Sequence, residues 1–102
     1  QLEEIAKRKT AALITASVVT GGLAGNASSQ YLARLQRYGS KLGLAFQLMD
    51  DLHDQDGLVR AIGPDAAYRK ALGLIDHAEQ ALAPFGRQAW VLHELAGWLA
   101  RT

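Results

Sequence analysis

An apolar run that ends in carboxylates occupies residues 46–54 and reads Phe46-Gln47-Leu48-Met49-Asp50-Asp51-Leu52-His53-Asp54. On an α-helix, residues three and four positions apart are neighbours, so Asp50 lies above Asp54. Like charges at this spacing cost about 0.2–0.5 kcal/mol, and a helix C-terminus disfavours carboxylates further. A hard cation would reverse the sign, because Mg²⁺ takes one or two carboxylates and completes its shell with water and phosphate oxygens.

The acidic end of this run has two explanations. Along the same side as the three aspartates lies Gln47, and the four residues could form an ordinary solvated helix end. However, the preceding run Leu44–Met49 has Gln47 as its single polar residue. Carboxylates that extend such a buried run are expected to face a cavity rather than open water. We therefore favour a functional site.

A transition-metal site is a second alternative for this segment. His53 with Asp50 and Asp54 has a spacing at which an imidazole and a carboxylate can share an ion. A metal site in a helical bundle also needs ligands from other helices. The remaining histidines, His77 and His93, show no paired pattern that would supply them.

Length and composition restrict the class of protein. The chain has 102 residues, a net charge of +1 and no cysteine. These values predict one domain at most, argue against a nucleic-acid footprint and exclude disulfides and thiolate metal sites. The most apolar stretch, residues 11–25, is interrupted by polar residues and is shorter than the roughly 18 residues of a membrane span. We therefore expect no transmembrane segment. No basic n-region or cleavage pattern is visible, so we expect no signal peptide, and we expect a cytoplasmic location.

Hydrophobic periodicity predicts an all-α fold, an antiparallel helical bundle in which residues 1–102 form a single helical unit. We expect Gly21-Gly22 to end the first helix and Ser28 or Ser29 to cap the second. The predicted helices are Leu2–Val19, Gln30–Asp54, a short piece at Leu58–Ile62, one from Pro64 to about Ala83, and one from about Arg87 to Ala100.

Two features of these helices predict packing. Gly39 and Gly43 lie one turn apart inside the second helix, where each glycine costs about 1 kcal/mol of stability relative to alanine. We therefore expect another helix or a ligand to approach closely at these glycines. Of the two, we favour a packed helix. The last helix is predicted to bury Trp90, Val91, Leu95 and Trp98.

Lys9-Thr10, just before an apolar helical run, is the second candidate site. A lysine supplies a point charge and a hydroxyl supplies a hydrogen-bond donor, which together suit a diphosphate. The simpler explanation is that residues 7–9 form a solvated basic turn.

Two motifs together identify a family. They are Lys9-Thr10-Ala11-Ala12-Leu13-Ile14 and Tyr38-Gly39-x-x-Leu42-Gly43-Leu44-Ala45-Phe46-Gln47-x-x-Asp50-Asp51-x-x-Asp54. In combination and at this separation they resemble the C-terminal half of a trans-isoprenyl diphosphate synthase of the polyprenyl synthetase family, such as farnesyl or geranylgeranyl diphosphate synthase. The resemblance extends more weakly over residues 61–101 and implies part of the isoprenoid synthase fold.

The resemblance implies an activity, a cofactor and a role for each site residue. The activity is that of a prenyltransferase of isoprenoid biosynthesis, which condenses isopentenyl diphosphate with an allylic diphosphate to make polyprenyl diphosphates. Asp50, Asp51 and Asp54 match the second aspartate-rich motif, which holds Mg²⁺ against the allylic diphosphate. Asp50 would be its most direct ligand. Lys9 would pair with that diphosphate, and Thr10 and Gln47 would line the reactive end of the substrate.

The sequence departs from the family at two points. The first aspartate-rich motif, on a facing upstream helix, does not occur in these residues, and the Gly-Lys-Pro loop expected after the second motif is missing. Arg60 follows the motif closely and is a candidate replacement for one cation. Because the chain also opens on Gln1, we expect a fragment or truncated form of a larger domain, inactive when isolated. We expect a homodimer or association with the missing N-terminal half. The alternative is a non-catalytic helical subunit or pseudoenzyme acting through oligomerisation.

Overall fold

The structure, a computed structural model, describes residues 2–54 and 57–101, and at residues 2–8, 10, 11 and 24 it describes the helical backbone alone. Neither described range contains a strand, which confirms the all-α fold. None of the helices in these ranges has the length and hydropathy of a membrane span. In chain order the elements are α1 (Leu2–Ala24), α2 (Ser29–Asp54), α3 (Leu58–Ile62), α4 (Pro64–Ala81), a 3₁₀ segment (Ala83–Ala89) and α5 (Trp90–Arg101).

α1 is longer than predicted, because Gly21 and Gly22 do not end it. The helix continues through both glycines and ends in a Schellman motif, in which Asn26 adopts the left-handed conformation with φ 59°. The Ala27 amide donates to the Gly22 carbonyl at 2.9 Å, and the Asn26 amide donates to the Leu23 carbonyl at 3.0 Å. Asparagine tolerates this conformation. Asn26 therefore ends α1, the role that we had predicted for Gly21 and Gly22.

α2 is the central helix and contacts both α1 and α4. Its first turn is capped as predicted, since the Ser28 hydroxyl accepts a hydrogen bond from the Tyr31 amide at 3.3 Å. The helical period of its apolar residues is confirmed, because one face is buried along the whole length of the helix. The large side chains of this face are Leu35, Tyr38, Leu42, Leu48 and Met49, with Phe46 partly buried beside them.

α1 and α2 run antiparallel and cross closely at Gly39. A Cβ atom on Gly39 would lie 2.7 Å from Cα of Thr15, so the two backbones are in near contact there. Near the other end of the pair, a Cβ on Gly22 would meet Leu32 and Leu35. The prediction that Gly39 permits close helix packing is confirmed, and Gly43 is buried on the same helix.

α4 packs against α2 through a row of small side chains. Gly63 and Pro64 start the helix as predicted, with Pro64 in the first turn. The buried row consists almost entirely of alanine, namely Ala67, Ala71, Ile75, Ala78 and Ala81, four of them 2% exposed or less. Because alanine side chains are small, the backbones of α2 and α4 lie close together along this row.

The connection from α4 to α5 is a 3₁₀ segment with a kink. The predicted break near Pro84 is confirmed, and Gly86 carries the kink with φ 60°. α5 is tied to the core by Tyr38, whose hydroxyl donates to the Leu92 carbonyl at 2.8 Å. Burial, and secondarily the negative charge of Glu79, raises the pKa of Tyr38 above its usual value, so its hydroxyl stays protonated and remains a donor.

The buried face of α5 is not the predicted one. The four residues predicted to be buried are exposed instead, Trp90 by 65%, Val91 by 56%, Leu95 by 40% and Trp98 by 54%. The α5 residues that pack against the bundle are Leu92, Ala96 and Leu99, and Ala89 at the end of the 3₁₀ segment is buried beside them. The helix is apolar on two sides, and periodicity alone does not decide which side meets α4. The prediction was wrong because it chose the larger side chains.

The crossing of α1 and α2 gives the first testable prediction. Gly39→Ala is expected to destabilise the protein by about 1–3 kcal/mol, because the obstacle to the new Cβ is backbone that cannot rotate away. Gly73→Ala is the matched control, since a Cβ there would meet nothing within 4 Å. It should stabilise by roughly 0.5–1 kcal/mol through helix propensity. Urea unfolding measures both free energies, and a stabilised Gly39 variant would contradict the close crossing.

Candidate functional site

The acidic residues at the end of α2 differ in exposure. Asp51 is buried, with 9% of its surface exposed. Gln47 and Asp50 are half-buried, whereas His53 and Asp54 are exposed. None of the three aspartates lacks a polar or electrostatic partner. The helix end is therefore a set of differently shielded carboxylates rather than a uniformly solvated one.

Asp51 lines a cavity of about 380 Å³ between α2, α3 and α4. This volume lies in the range of about 300–1,000 Å³ that small-molecule sites occupy. Gln47, one turn before Asp51, lines the same cavity. The walls combine apolar and charged side chains, and the other lining residues are Lys41, Leu44, Leu48, Leu58, Lys70 and Leu74.

Two lysines of this cavity were not predicted as site residues. Lys41 lies two helical turns before Leu48, so the helical period alone could have placed it on this side of α2. Lys70 comes from α4, and only the packing of α4 against α2 brings it to the cavity. The cavity is therefore lined by two lysine side chains and the Asp51 carboxylate, together with four leucines.

Asp50 lines a different, smaller cavity of about 170 Å³ between α2 and α5. The residues around it are Phe46, Met49, His53, Trp98 and Leu99. Successive residues of an α-helix point about 100° apart, which lets Asp50 and Asp51 line different cavities at this helix end. The structure thus brings Gln47 and Asp51 together and places Asp50 beside His53 instead.

Gly57, the residue before α3, lies against the Asp51 carboxylate. Gly57 has φ 57°, and a Cβ atom added to it would lie 2.5 Å from Oδ2 of Asp51. The backbone at this position therefore covers the carboxylate, which explains how a charged side chain at a helix end becomes buried. A side chain at residue 57 would have to displace Asp51.

Lys9 is exposed on α1, and the side chain of Thr10 lies outside the described residues. The antiparallel register that sets Thr15 against Gly39 puts Lys9 level with residue 45 of α2. At a rise of 1.5 Å per residue, Asp50 lies about 7.5 Å further along the axis. Lys9 is thus level with the part of α2 just before Gln47, and not with the aspartates themselves.

The described residues contain no group of three or more His, Asp or Glu side chains that could hold a metal ion together. The alternative transition-metal site at His53, Asp50 and Asp54 is therefore not formed in this part of the chain. His93 lies 3.8 Å from Glu79, and His77 is exposed on α4. Mg²⁺ is less demanding, since one or two carboxylates with phosphate oxygens and water complete its shell.

Comparison with known proteins places the two sequence motifs within one match. The family model described as polyprenyl synthetase matches residues 1–70, which include both Lys9-Thr10 and the acidic segment. A dimethylallyltranstransferase of Fischerella ambigua is 37% identical over 117 aligned positions, which cover 96% of this chain and 34% of that protein. The farnesyl diphosphate synthase of Escherichia coli is 34% identical over 108 positions, covering 86% of this chain and 36% of that protein.

The lengths of these alignments carry further information. The chain spans about a third of the length of these two curated relatives, 34% and 36%. Both alignments also run over more positions than the 102 residues of this chain, so each relative contains residues without a counterpart here.

The contact between residue 57 and Asp51 is testable by comparing two glycines. Gly57→Ala and Gly86→Ala both force alanine into nearly the same positive-φ conformation, with φ 57° and ψ −135° at residue 57 and φ 60° and ψ −141° at residue 86, at a cost of roughly 1–3 kcal/mol. A Cβ at Gly86 meets nothing within 4 Å, whereas one at Gly57 meets the carboxylate. Gly57→Ala should therefore lower the free energy of unfolding by more than Gly86→Ala.

A double variant identifies the source of the difference. Gly57→Ala should cost less in an Asp51→Ala background, because the obstacle is gone. The four free energies come from urea unfolding and form a thermodynamic cycle. An unchanged cost of Gly57→Ala in that background would show that Asp51 is not the obstacle.

Proposed function

The chain belongs to the polyprenyl synthetase family, and we propose that it forms the diphosphate- and Mg²⁺-binding wall of a trans-prenyltransferase. The reaction proposed is condensation of isopentenyl diphosphate with an allylic diphosphate to give a polyprenyl diphosphate. The observation that carries this proposal is the family match over residues 1–70, because it contains the lysine motif and the acidic segment together. The names of the relatives, a dimethylallyltranstransferase and a farnesyl diphosphate synthase, support the same reaction.

The donor set at the end of α2 fits Mg²⁺ bound jointly with a diphosphate. It offers carboxylates of different exposure rather than a closed cluster of three ligands. Mg²⁺ requires only one or two carboxylates when phosphate oxygens complete its shell. We propose Asp50 as the principal ligand, with Asp51 and Asp54 completing the motif. When bound, the ion would stabilise the negative charge of the departing diphosphate.

The remaining site residues would position the substrate. Lys9 would contribute a point charge to the diphosphate, with Thr10 donating from its hydroxyl. Gln47 would line the reactive end of the allylic chain, and its half-buried position among leucines of the Asp51 cavity supports that role. Leu44 of this wall is 49% exposed, so we propose that the partner part of the domain covers it, and the leucine walls would then exclude water and protect a reactive carbocation from hydrolysis.

The proposal also covers how the chain assembles and where it is located. We propose that residues 1–102 are one part of a larger isoprenoid synthase domain, which a second copy or the N-terminal half completes. Leu13 on α1 is 66% exposed and Leu44 on α2 is 49% exposed, so both helices present large apolar side chains that a partner could cover. The predicted cytoplasmic location remains a prediction.

Magnesium-dependent ligand binding tests the proposed site. An allylic bisphosphonate together with Mg²⁺ should raise the thermal stability of the protein, by about 2.7 kcal/mol at one hundred times the dissociation constant. Asp50→Asn should abolish this increase, because the amide cannot serve as an anionic ligand. Glu94→Gln, an equivalent change at an exposed position of α5, is the control and should leave the increase intact.

Two results would count against the prenyltransferase wall. One is an unchanged melting temperature at saturating Mg²⁺ and bisphosphonate, which would instead favour the non-catalytic helical subunit. The other is an equal loss of the stabilisation in the Asp50 and Glu94 variants, which would show that overall charge rather than Asp50 is responsible.

Sedimentation tests the proposed assembly. At micromolar concentration the protein should sediment as a dimer or as a complex with an N-terminal half supplied separately. Replacing the exposed leucine by serine, Leu13→Ser, should weaken that association if the α1 face is the contact. A protein that sediments as a monomer and does not bind an added N-terminal half would contradict the proposal.

A further inference from the structure

A second cavity on the seam between α2 and α4 is lined mainly by basic and polar side chains. Its volume is about 360 Å³, comparable to that of small-molecule sites. The residues around it are Arg34, Arg37, Lys41, His77, Gln80 and Ala81, and we call it the basic cavity. It opens beside the C-terminal half of α4, away from the aspartates at the end of α2.

The charge of the basic cavity is a local concentration. The whole chain has a net charge of only +1, yet three permanent cations and a histidine line this one cavity and none of its lining residues is acidic. The nearby carboxylate of Asp76 accepts a hydrogen bond from Gln80 Nε2 at 2.8 Å. Arg37 and Lys41 lie four residues apart on α2, a like-charge spacing that is unfavourable without a counter-charge.

One of the cations is held in position by the protein. Arg34 is half-buried, and its Nη1 donates to the Ala81 carbonyl at 3.4 Å at the end of α4. A guanidinium has five N–H donors, so this bond leaves others for a ligand. Arginine in a fixed orientation can bind phosphate oxygens in pairs, which a mobile surface side chain does at a greater entropic cost.

The basic cavity adjoins an apolar one. Lys41 lines both the basic cavity and the Asp51 cavity, so the two meet along α2. On the far side of Lys41 the walls carry leucines, among them Leu44 and Leu74. An anionic head group in the basic cavity would therefore have an apolar surface next to it.

We propose that the basic cavity is a diphosphate-binding site, separate from the acidic end of α2 and independent of Mg²⁺. Arg34, Arg37 and Lys41 bind the phosphate oxygens, and His77 borders the anion from α4. The bound anion relieves the repulsion between the cations of α2. The ligand class is a diphosphate, either free or carrying an apolar chain that extends over the leucines.

Calorimetric titration of the full chain with inorganic pyrophosphate in EDTA tests this site without populating a magnesium-dependent one. Arg37→Gln combined with Lys41→Gln should weaken binding by roughly tenfold or more, because charge-assisted hydrogen bonds are lost. Arg69→Gln combined with Arg87→Gln removes the same charge at exposed positions that do not line the cavity. This control should leave the affinity nearly unchanged. Arg34 is kept, because it also bonds the α4 backbone.

Three results would overturn the proposal. They are the absence of pyrophosphate binding in EDTA, an equal loss of affinity in the control variant, and binding of a polyanion such as heparin without binding of pyrophosphate. Circular dichroism of both double variants checks that each is folded. None of the four substituted side chains is buried, so we expect both variants to fold. Because no divalent ion is present, failure here leaves the magnesium-dependent proposal unaffected.

A second ligand distinguishes the two sources of the diphosphate. A farnesyl thiolodiphosphate that binds more tightly than pyrophosphate, with the gain lost in Leu44→Ser, would identify a lipid diphosphate whose chain lies in the Asp51 cavity. Equal affinities would identify free diphosphate as the ligand. Both results retain the basic cavity as the anion site.

Discussion

The close packing of α2 against its two neighbours is the constraint on which the rest of the structure depends. On one side the backbone of α1 meets α2 at Gly39, and on the other a row of alanines holds α4 close. Because both contacts are made by small residues, they fix the helices by shape and leave little freedom to adjust. The cavities form where this packing opens, at the acidic end of α2 and along its seam with α4.

At the acidic end of α2, neighbouring aspartates lie in different environments. Asp51 turns towards α4 and is covered by the backbone at Gly57, whereas Asp50 turns towards α5. A carboxylate gains from such shielding only when a partner or a ligand offsets the loss of solvation. Asp51 has such a partner within the chain, and the lysines of its cavity add charge of the required sign.

Charge along the seam between α2 and α4 changes sign with distance from the acidic end. Asp51 lies at one end and the arginines of the basic cavity at the other, with Lys41 bordering both cavities. In a partly enclosed groove such charges interact more strongly than on open surface, since the effective dielectric constant is lower. The basic end of the groove is therefore suited to anions, and the leucines on the far side of Lys41 provide an apolar surface next to it.

The sequence by itself determined the all-α class, a serine cap at Ser28 or Ser29, the break near Pro84 and the residues of the acidic motif, because these depend on local spacing and on chemistry within one helix. Only the tertiary structure decided which side of α5 is buried, since that helix is apolar on two sides and α4 covers one. It also decided that Asp50 and Asp51 line different cavities and that Lys70 joins Asp51. The pairing of Lys70 with Asp51 joins residues distant in the chain, and no local pattern encodes it.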